Sequence, residues 1–432
     1  MAPHLEMHTP MNQLTAFAPR YLTAFQCLGQ ECPDHCCGGW NIAIDQKTAQ
    51  KYQKVSLKEM RDRLQKGILT IKGKKTSHHF KLDNDGNCTF LNADKLCDIQ
   101  GTLGASHLCD TCAQYPRYYG HAGENYSVYA TLSCPQAAKL ALAEENAMDT
   151  IQVHLPFKSK ADVPQNIGRV AAGTASEGEI NRPDLDALQV FAASLHDTSC
   201  AFIRNPEISA AQALLAINML FQRIKRHAES TTERMETIHR VASVILDANS
   251  PEHIPQLKEQ ALQPPAHSAQ QLQLLFGGLL AQAQQAQFQL RIGTIIQAAA
   301  SALHYQHDNP SASAPYFEEA RTRWFEPFDN THPHLLKNYL LNTLGCRLFP
   351  QGNISTLDDE LMQISLRFAL VRLLLIGVAA KKQENFGTPD YEHVIYSFGR
   401  DIEHNERFFP ALSKIYADQD LRSTGAISVM IA

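Results

Sequence analysis

The chain has 432 residues, of which 44% are hydrophobic and 19% charged, with a formal net charge of −5. That length is enough to bury a full core and predicts two or three domains, and the mild acidity offers no broad basic face to nucleic acid. Residues 1–23 lack the charged-then-apolar pattern of a secretory signal, so a cytosolic protein is expected; informative sequence begins only near Pro19, with Met7 and Met11 as alternative starts.

The stretch 21–40 reads as an irregular loop, because Pro33, Asp34, Gly38 and Gly39 disfavour regular structure. It carries Cys27, Cys32, Cys36 and Cys37. Residues 42–44 read as a short strand. Residues 46–65 read as one helix, with Tyr52, Val55, Leu57, Met60 and Leu64 at helical spacing. Residues 68–71 and 79–82 alternate like a two-stranded ribbon, and Asn84-Asp85-Gly86-Asn87 is a turn that delivers Cys88. Cys97, the pair Cys109-x-x-Cys112 and Cys134 complete a run in which Tyr118, Tyr119, Tyr126 and Tyr129 are expected to pack round the cysteines. Pro135 opens a helix to Met148, at a position where its missing N–H costs nothing.

Residues 150–156 read as a short strand, and 158–182, polar and without apolar periodicity, as a linker. Helices are expected over 184–203, 208–227 and 231–248. Residues 268–304, interrupted by Gly277-Gly278 and Gly293, read as either two helices or one kinked one. Further helices follow over 333–348, from Leu361, and over 390–404 and 406–416. The segment 361–380 is long and apolar enough to span a bilayer, yet Arg367 and Arg372 fall inside it. Each would cost about 2.5–3.5 kcal/mol near a bilayer centre, so a buried core helix and no membrane contact are expected. Arg400, Glu403 and His404 are spaced to share a helix face, which reads as a surface salt bridge with Asn405 near the C-cap.

Nine of the eleven cysteines, Cys27, Cys32, Cys36, Cys37, Cys88, Cys97, Cys109, Cys112 and Cys134, occupy about a quarter of the chain. Spacings of two to four residues let two thiolates reach one ion from a single turn, and Pro135 after Cys134 follows a ferredoxin-type habit. An odd count without a secretory signal argues against disulfides. The expected reading is a metal knot, iron–sulfur with zinc as the alternative, since both take four thiolates. Cys109/Cys112 is the first choice of ligand pair and Cys36/Cys37 the next; because adjacent cysteines point apart, the latter two are candidates for different sites. Cys200 and Cys346, alone in apolar helical sequence, read as buried free thiols. The expected fold is mainly α: a cysteine-rich metal-binding domain with few short strands over 19–149, a strand and linker over 150–182, and an α-helical domain over 183–432. No glycine-rich dinucleotide or P-loop motif, serine-hydrolase elbow or zinc-protease helix occurs.

The run from Phe25-Gln-Cys-Leu-Gly through Cys36-Cys37 to Trp40 resembles the opening of the flagellin lysine-N-methylase family, as do Asn87-Cys-x-Phe-Leu, Leu96-Cys-x-Ile and Leu108-Cys-Asp-Thr-Cys-x-x-Tyr-Pro-Arg117. Asn338-Tyr-Leu, Leu348-Phe-Pro, Leu373-Leu-Leu-Ile-Gly-Val-Ala-Ala and Arg400-x-Ile-Glu-His-Asn are similar to the same family. The front half is also similar to proteins described as zinc- or iron-chelating. The resemblance implies transfer of a methyl group from S-adenosylmethionine to lysine side chains of flagellin, in the cytoplasm, beside a cluster of [4Fe–4S] type. Transfer to an amine needs a neutral nitrogen, although free lysine has a pKa of about 10.4. An apolar aromatic pocket would lower that value and would also favour the donor's sulfonium. Trp40, Tyr115, Tyr118 and Tyr119 are therefore candidate walls, with Trp40, Tyr118 and Tyr119 toward the donor. Glu403, His404 and Tyr115 are the catalytic candidates, Glu403 or His404 to take the proton. The alternative is a non-catalytic metal-binding accessory protein whose helical half docks a partner.

Overall fold

The computed structural model describes residues 14–73, 76–122, 125–155, 182–229, 234–248, 250, 252–253, 255, 268–286, 291–350, 354–405, 407–419, 421 and 423–431. The chain is mainly α: among the described residues, short strands are confined to residues 14–155, and helices follow. The expected linker falls almost entirely on 156–181, outside the described residues.

The strands, in chain order, are β1 (Leu14–Pro19), β2 (Ala43–Ile44), β3 (Ile68–Ile71), β4 (Ser77–Phe80), β5 (Arg117–Ala122), β6 (Asn125–Ala130) and β7 (Thr150–Leu155). One sheet has the order β2-β4-β3 and contains the anticipated ribbon. At the expected turn, the Asp83 carboxylate accepts the N–H groups of Asp85 and Asn87. The helix expected over 46–65 is two, Gln46–Gln53 and Lys58–Gly67. The break buries Val55 while Arg61 donates to the carbonyl that the break frees, at 2.8 Å. Asp45 caps the first of them, accepting the Thr48 N–H at 2.8 Å. Ile42, Ile44, Tyr52, Met60, Leu64, Phe80 and Phe90 close a small core, and Cys88 and Cys109 are buried in it.

The second sheet, order β5-β6-β1-β7, was only partly legible. β1 lies parallel to β6 and antiparallel to β7. Tyr118 and Tyr119, expected against the cysteines, instead lie on β5. Tyr119 is buried with Ala16, Ala18 and Tyr126, and Tyr118 is 39% exposed. Alternation of side chains across the pleat sends the two tyrosines to opposite faces.

The large core belongs to the helices. At its centre is Ile354–Lys382, packed by Arg291–Ala302, Pro310–Ala320, Thr388–Phe398, Phe408–Asp418 and Thr424–Ile431. Its apolar window is 94% buried within the protein. Arg372 pairs with Glu326 at 3.7 Å, and the Arg367 guanidinium lies 3.6 Å from the centroid of Phe409. Residues 268–302 form two helices, Ser268–Ala286 and Arg291–Ala302, and Pro310–Ala320 and Thr424–Ile431 add helices that the periodicity did not announce. Pro135–Leu142, directly after the last grouped cysteine, packs against His334–Cys346 and Thr388–Phe398, so Cys134 sits where the strand-rich part meets this core. Tyr129 of β6 seats on Gly345, where an added Cβ would lie 2.1 Å from its ring. Gly345→Ala is therefore expected to destabilise the protein by at least about 1–3 kcal/mol, read as a lower urea midpoint; an unchanged midpoint would mean the ring moves aside freely.

Candidate active site at the seam of the cysteine loops and the last helices

The helix Thr388–Phe398 does not end where an α-helix would. It runs into a π-helical turn, Gly399–Glu403, and this turn breaks the face that Arg400, Glu403 and His404 were expected to share. None of the three makes the anticipated surface pair. Arg400 is 2% exposed: its Nη2 donates to the Gly38 carbonyl at 2.6 Å, and its Nε lies 3.6 Å from the Asp34 carboxylate, itself 4% exposed. Glu403 turns inward, 3.6 Å from Arg367 Nε, and accepts from Tyr339 Oη at 3.4 Å. His404 Nε2 meets Ser133 Oγ at 2.8 Å. Gly399 permits the approach, since a Cβ there would come within 3.0 Å of the Ser133 backbone.

Around Ser133 the polar groups are matched. Thr131 Oγ1 donates to Ser133 Oγ at 3.0 Å, and Tyr115 Oη lies 3.1 Å from it. A hydroxyl with one proton and two lone pairs is filled when Thr131 and Tyr115 donate to it and it donates to His404 Nε2. The imidazole then carries its proton on Nδ1. Burial, reinforced by Arg400, holds His404 down to about 4, and burial, reinforced by Cys134, holds the Tyr115 hydroxyl well above its usual range. At neutral pH the ring is uncharged and the phenol protonated.

The Trp40 indole covers this group. It stacks on His404 with ring centroids 5.2 Å apart and planes 15° apart, and lies 6.0 Å from Tyr115. Trp40 Nε1 donates to the Cys36 carbonyl at 3.0 Å, which anchors the ring to the cysteine loop. Trp40, Tyr115 and His404 are each half-buried, so the three rings form a packed aromatic cluster with part of its surface open to solvent. Three of the candidate residues thus converge; Glu403, Tyr118 and Tyr119 do not. Ser133, Thr131 and Asp34 were missed as site residues, and only their nearness to Cys134 and Cys32 in the sequence hinted at them.

The grouped thiols fall into two electrostatic neighbourhoods. In one, burial pushes Cys32 up, with Cys27 and Cys36 adding, and burial pushes Cys134 up to about 12, with Cys32 and Cys27 adding. In the other, burial raises Cys88 to about 11 and raises Cys97 as well. Here a hydrogen bond with Cys109 raises Cys112, which Cys37 and Cys97 raise further. Cys36 and Cys37 hydrogen-bond each other; that bond, with help from Arg400, holds Cys36 down to about 7 and pushes its neighbour up. Among the described residues no three His, Cys, Asp or Glu side chains converge closely enough to grip an ion as they stand. Their chemistry nevertheless fits one: they are soft donors, with Cys88, Cys109 and Cys134 buried, whose thiolate forms repel each other until a cation lies between them.

Residues 196–430 match the family model described as the FliB lysine N-methylase C-terminal domain. The chain belongs to the FliB lysine N-methylase family. Over 141 residues, 32% of this chain, it is 36% identical to the flagellar biosynthetic protein FliU of Salmonella muenchen, covering 83% of that protein. It is equally similar, over 141 residues, to proteins named lysine-N-methylase from Salmonella typhimurium strain LT2 and Salmonella choleraesuis strain SC-B67. The match spans 35% of the length of each of those two. No solved structure matches the chain. In this FliB-family chain the matched domain supplies Arg400, Glu403 and His404, while Trp40, Tyr115 and Ser133 come from the part that precedes it.

Proposed function

We propose that this protein is a cytoplasmic methyltransferase that carries the methyl group of S-adenosylmethionine to lysine side chains of flagellin. We propose further that its grouped cysteines hold an iron–sulfur cluster of [4Fe–4S] type, with zinc as the alternative metal. The reading rests on family membership together with one observation: a half-buried aromatic cluster of Trp40, Tyr115 and His404 beside the cysteine loops. The flagellar name of one relative supports the choice of substrate.

S-adenosylmethionine supplies an electrophilic methyl group on a sulfonium. The residues of the chain must then desolvate a lysine, align its nitrogen and let its proton go. An amine among the three rings loses hydration, which lowers its pKa toward the neutral form. His404 is a weak base: held near 4, it binds a proton about 9 kcal/mol more weakly than free lysine does. Its role is that of an uncharged partner, fixed by Ser133, that adds no repulsion to an incoming cation. Trp40 offers its face to the sulfonium or to the ammonium before deprotonation. Cys36, Cys37, Cys109 and Cys112 lead the set that would hold the metal, whose binding energy would become folding energy for loops with little core of their own.

The test incubates anaerobically purified protein with S-adenosylmethionine and unmodified flagellin and reads lysine masses. Added methyl groups are expected, and Trp40→Ala should cut the rate by about tenfold or more, as loss of a positioning contact does. Unchanged lysine masses from metal-replete protein would favour the accessory reading instead. Iron and sulfide analysis on the same sample separates a cluster from zinc, and a folded, metal-free preparation would remove the metal proposal.

A further inference from the structure

Cys200 is neither a lone thiol nor part of the cysteine loops. It lies on the helix Arg182–Arg204, one turn after His196, with its sulfur 3.5 Å from His196 Nε2. The other ring nitrogen, Nδ1, is 2.8 Å from the Phe349 carbonyl, an acceptor only, so Nδ1 carries a proton and Nε2 is turned to the sulfur. Burial by itself raises a thiol and lowers an imidazole. Here each reverses the other: Cys200 is lowered overall, and His196 is pushed up to about 9. Arg204 supports the thiolate and Asp197 opposes it; Tyr129 faces it from β6. The pair opens onto a cavity of about 320 Å³ whose walls include Tyr129, Met148 and Arg204. A second cavity of about 340 Å³ shares Met148, Arg204 and Leu341 with the first and adds Lys337.

We propose that Cys200 is a reactive thiol, separate from the nine grouped cysteines, that exchanges with small zwitterionic disulfides admitted through these cavities. The cavity volume suits a molecule of a few residues' size, and the walls carry both signs: Arg204 and Lys337 would meet its carboxylates, and Asp197, Glu145 and Asp149 its ammonium groups. In the step itself the Cys200 thiolate attacks one sulfur of the disulfide. A new S–S bond forms, the old one breaks, and the departing thiolate takes the proton held on His196 Nε2. Nothing in the inference depends on methyl transfer.

Oxidised glutathione is the probe, applied to the full-length protein between pH 6.5 and 8.5, with peptide mass mapping to separate Cys200 from the other thiols. The expected result is a mixed disulfide on Cys200 whose rate of formation climbs less steeply across that range than that of an unassisted thiol. In His196→Gln the rate should instead climb about tenfold per pH unit up to the thiol's own pKa, because only the thiolate attacks. Cys200→Ser should lose the mark from that peptide. An unmodified Cys200 in the folded wild-type protein, or a wild-type rate that climbs with pH as the variant's does, overturns the proposal. Iodoacetamide provides a second arm: alkylation of Cys200 without any reaction with oxidised glutathione would overturn the assigned ligand class. The wild-type profile decides even if the His196 variant fails to fold.

Discussion

Arg400→Met should be the most damaging single change in the seam, lowering stability by about 3–5 kcal/mol. The guanidinium and the Asp34 carboxylate are both shut away from water and form an ion pair of 3.6 Å. Removing the cation leaves an anion in a site that water does not reach. The same change frees the Gly38 carbonyl and lets go of the loop that carries Cys36 and Trp40. Urea unfolding should show the drop, and limited proteolysis should show new cleavage within 29–40. Pairing the change with Asp34→Asn should recover much of the loss, since the double variant buries no orphan charge. A midpoint shift worth less than about 1 kcal/mol, with the loop still protected, would mean the two charges are solvated after all.

Acid should weaken the protein partly through His404. Its folded pKa, about 4, lies below the unfolded value of about 6.5, so between those two values the unfolded chain binds a proton that the folded chain refuses. Stability therefore falls as pH drops through that window, by about 2–3 kcal/mol from this group once its partial exposure is allowed for. Asp329 acts in the opposite sense: burial holds its folded pKa up to about 6, so its contribution grows as pH falls from there toward 4. Comparison with His404→Asn isolates the histidine. The variant should lose less stability than the wild type between pH 7 and 4.5. Equal losses would place His404 in contact with bulk water.

The helices were legible because their apolar periodicity is decided locally: Arg182–Arg204 and Phe408–Asp418 fall within a few residues of the expected spans. The second sheet was only partly so, through the strand expected over 150–156. β1 and β7 are far apart in sequence and recognise each other only through register, and the tyrosines of β5 were read as lining for a metal knot. Within the site, spacing drew attention to Arg400, Glu403 and His404 but sent them to the wrong neighbours. The rule that residues four apart face each other assumes an uninterrupted α-helix, and the π-helical turn at Gly399–Glu403 removes that assumption. Ser133 carried no signal beyond its place next to Cys134, because a serine becomes a hub only when Thr131, Tyr115 and His404 are brought round it.

The bond from Arg400 to Gly38 joins residues 362 positions apart. During synthesis the cysteine segment leaves the ribosome long before its clasp exists, and it waits uncovered while nearly the whole remaining polypeptide is made. Nascent chains in that interval present Trp40 and the neighbouring sulfurs to solvent. Completion of the C-terminal tenth then shuts the door behind them.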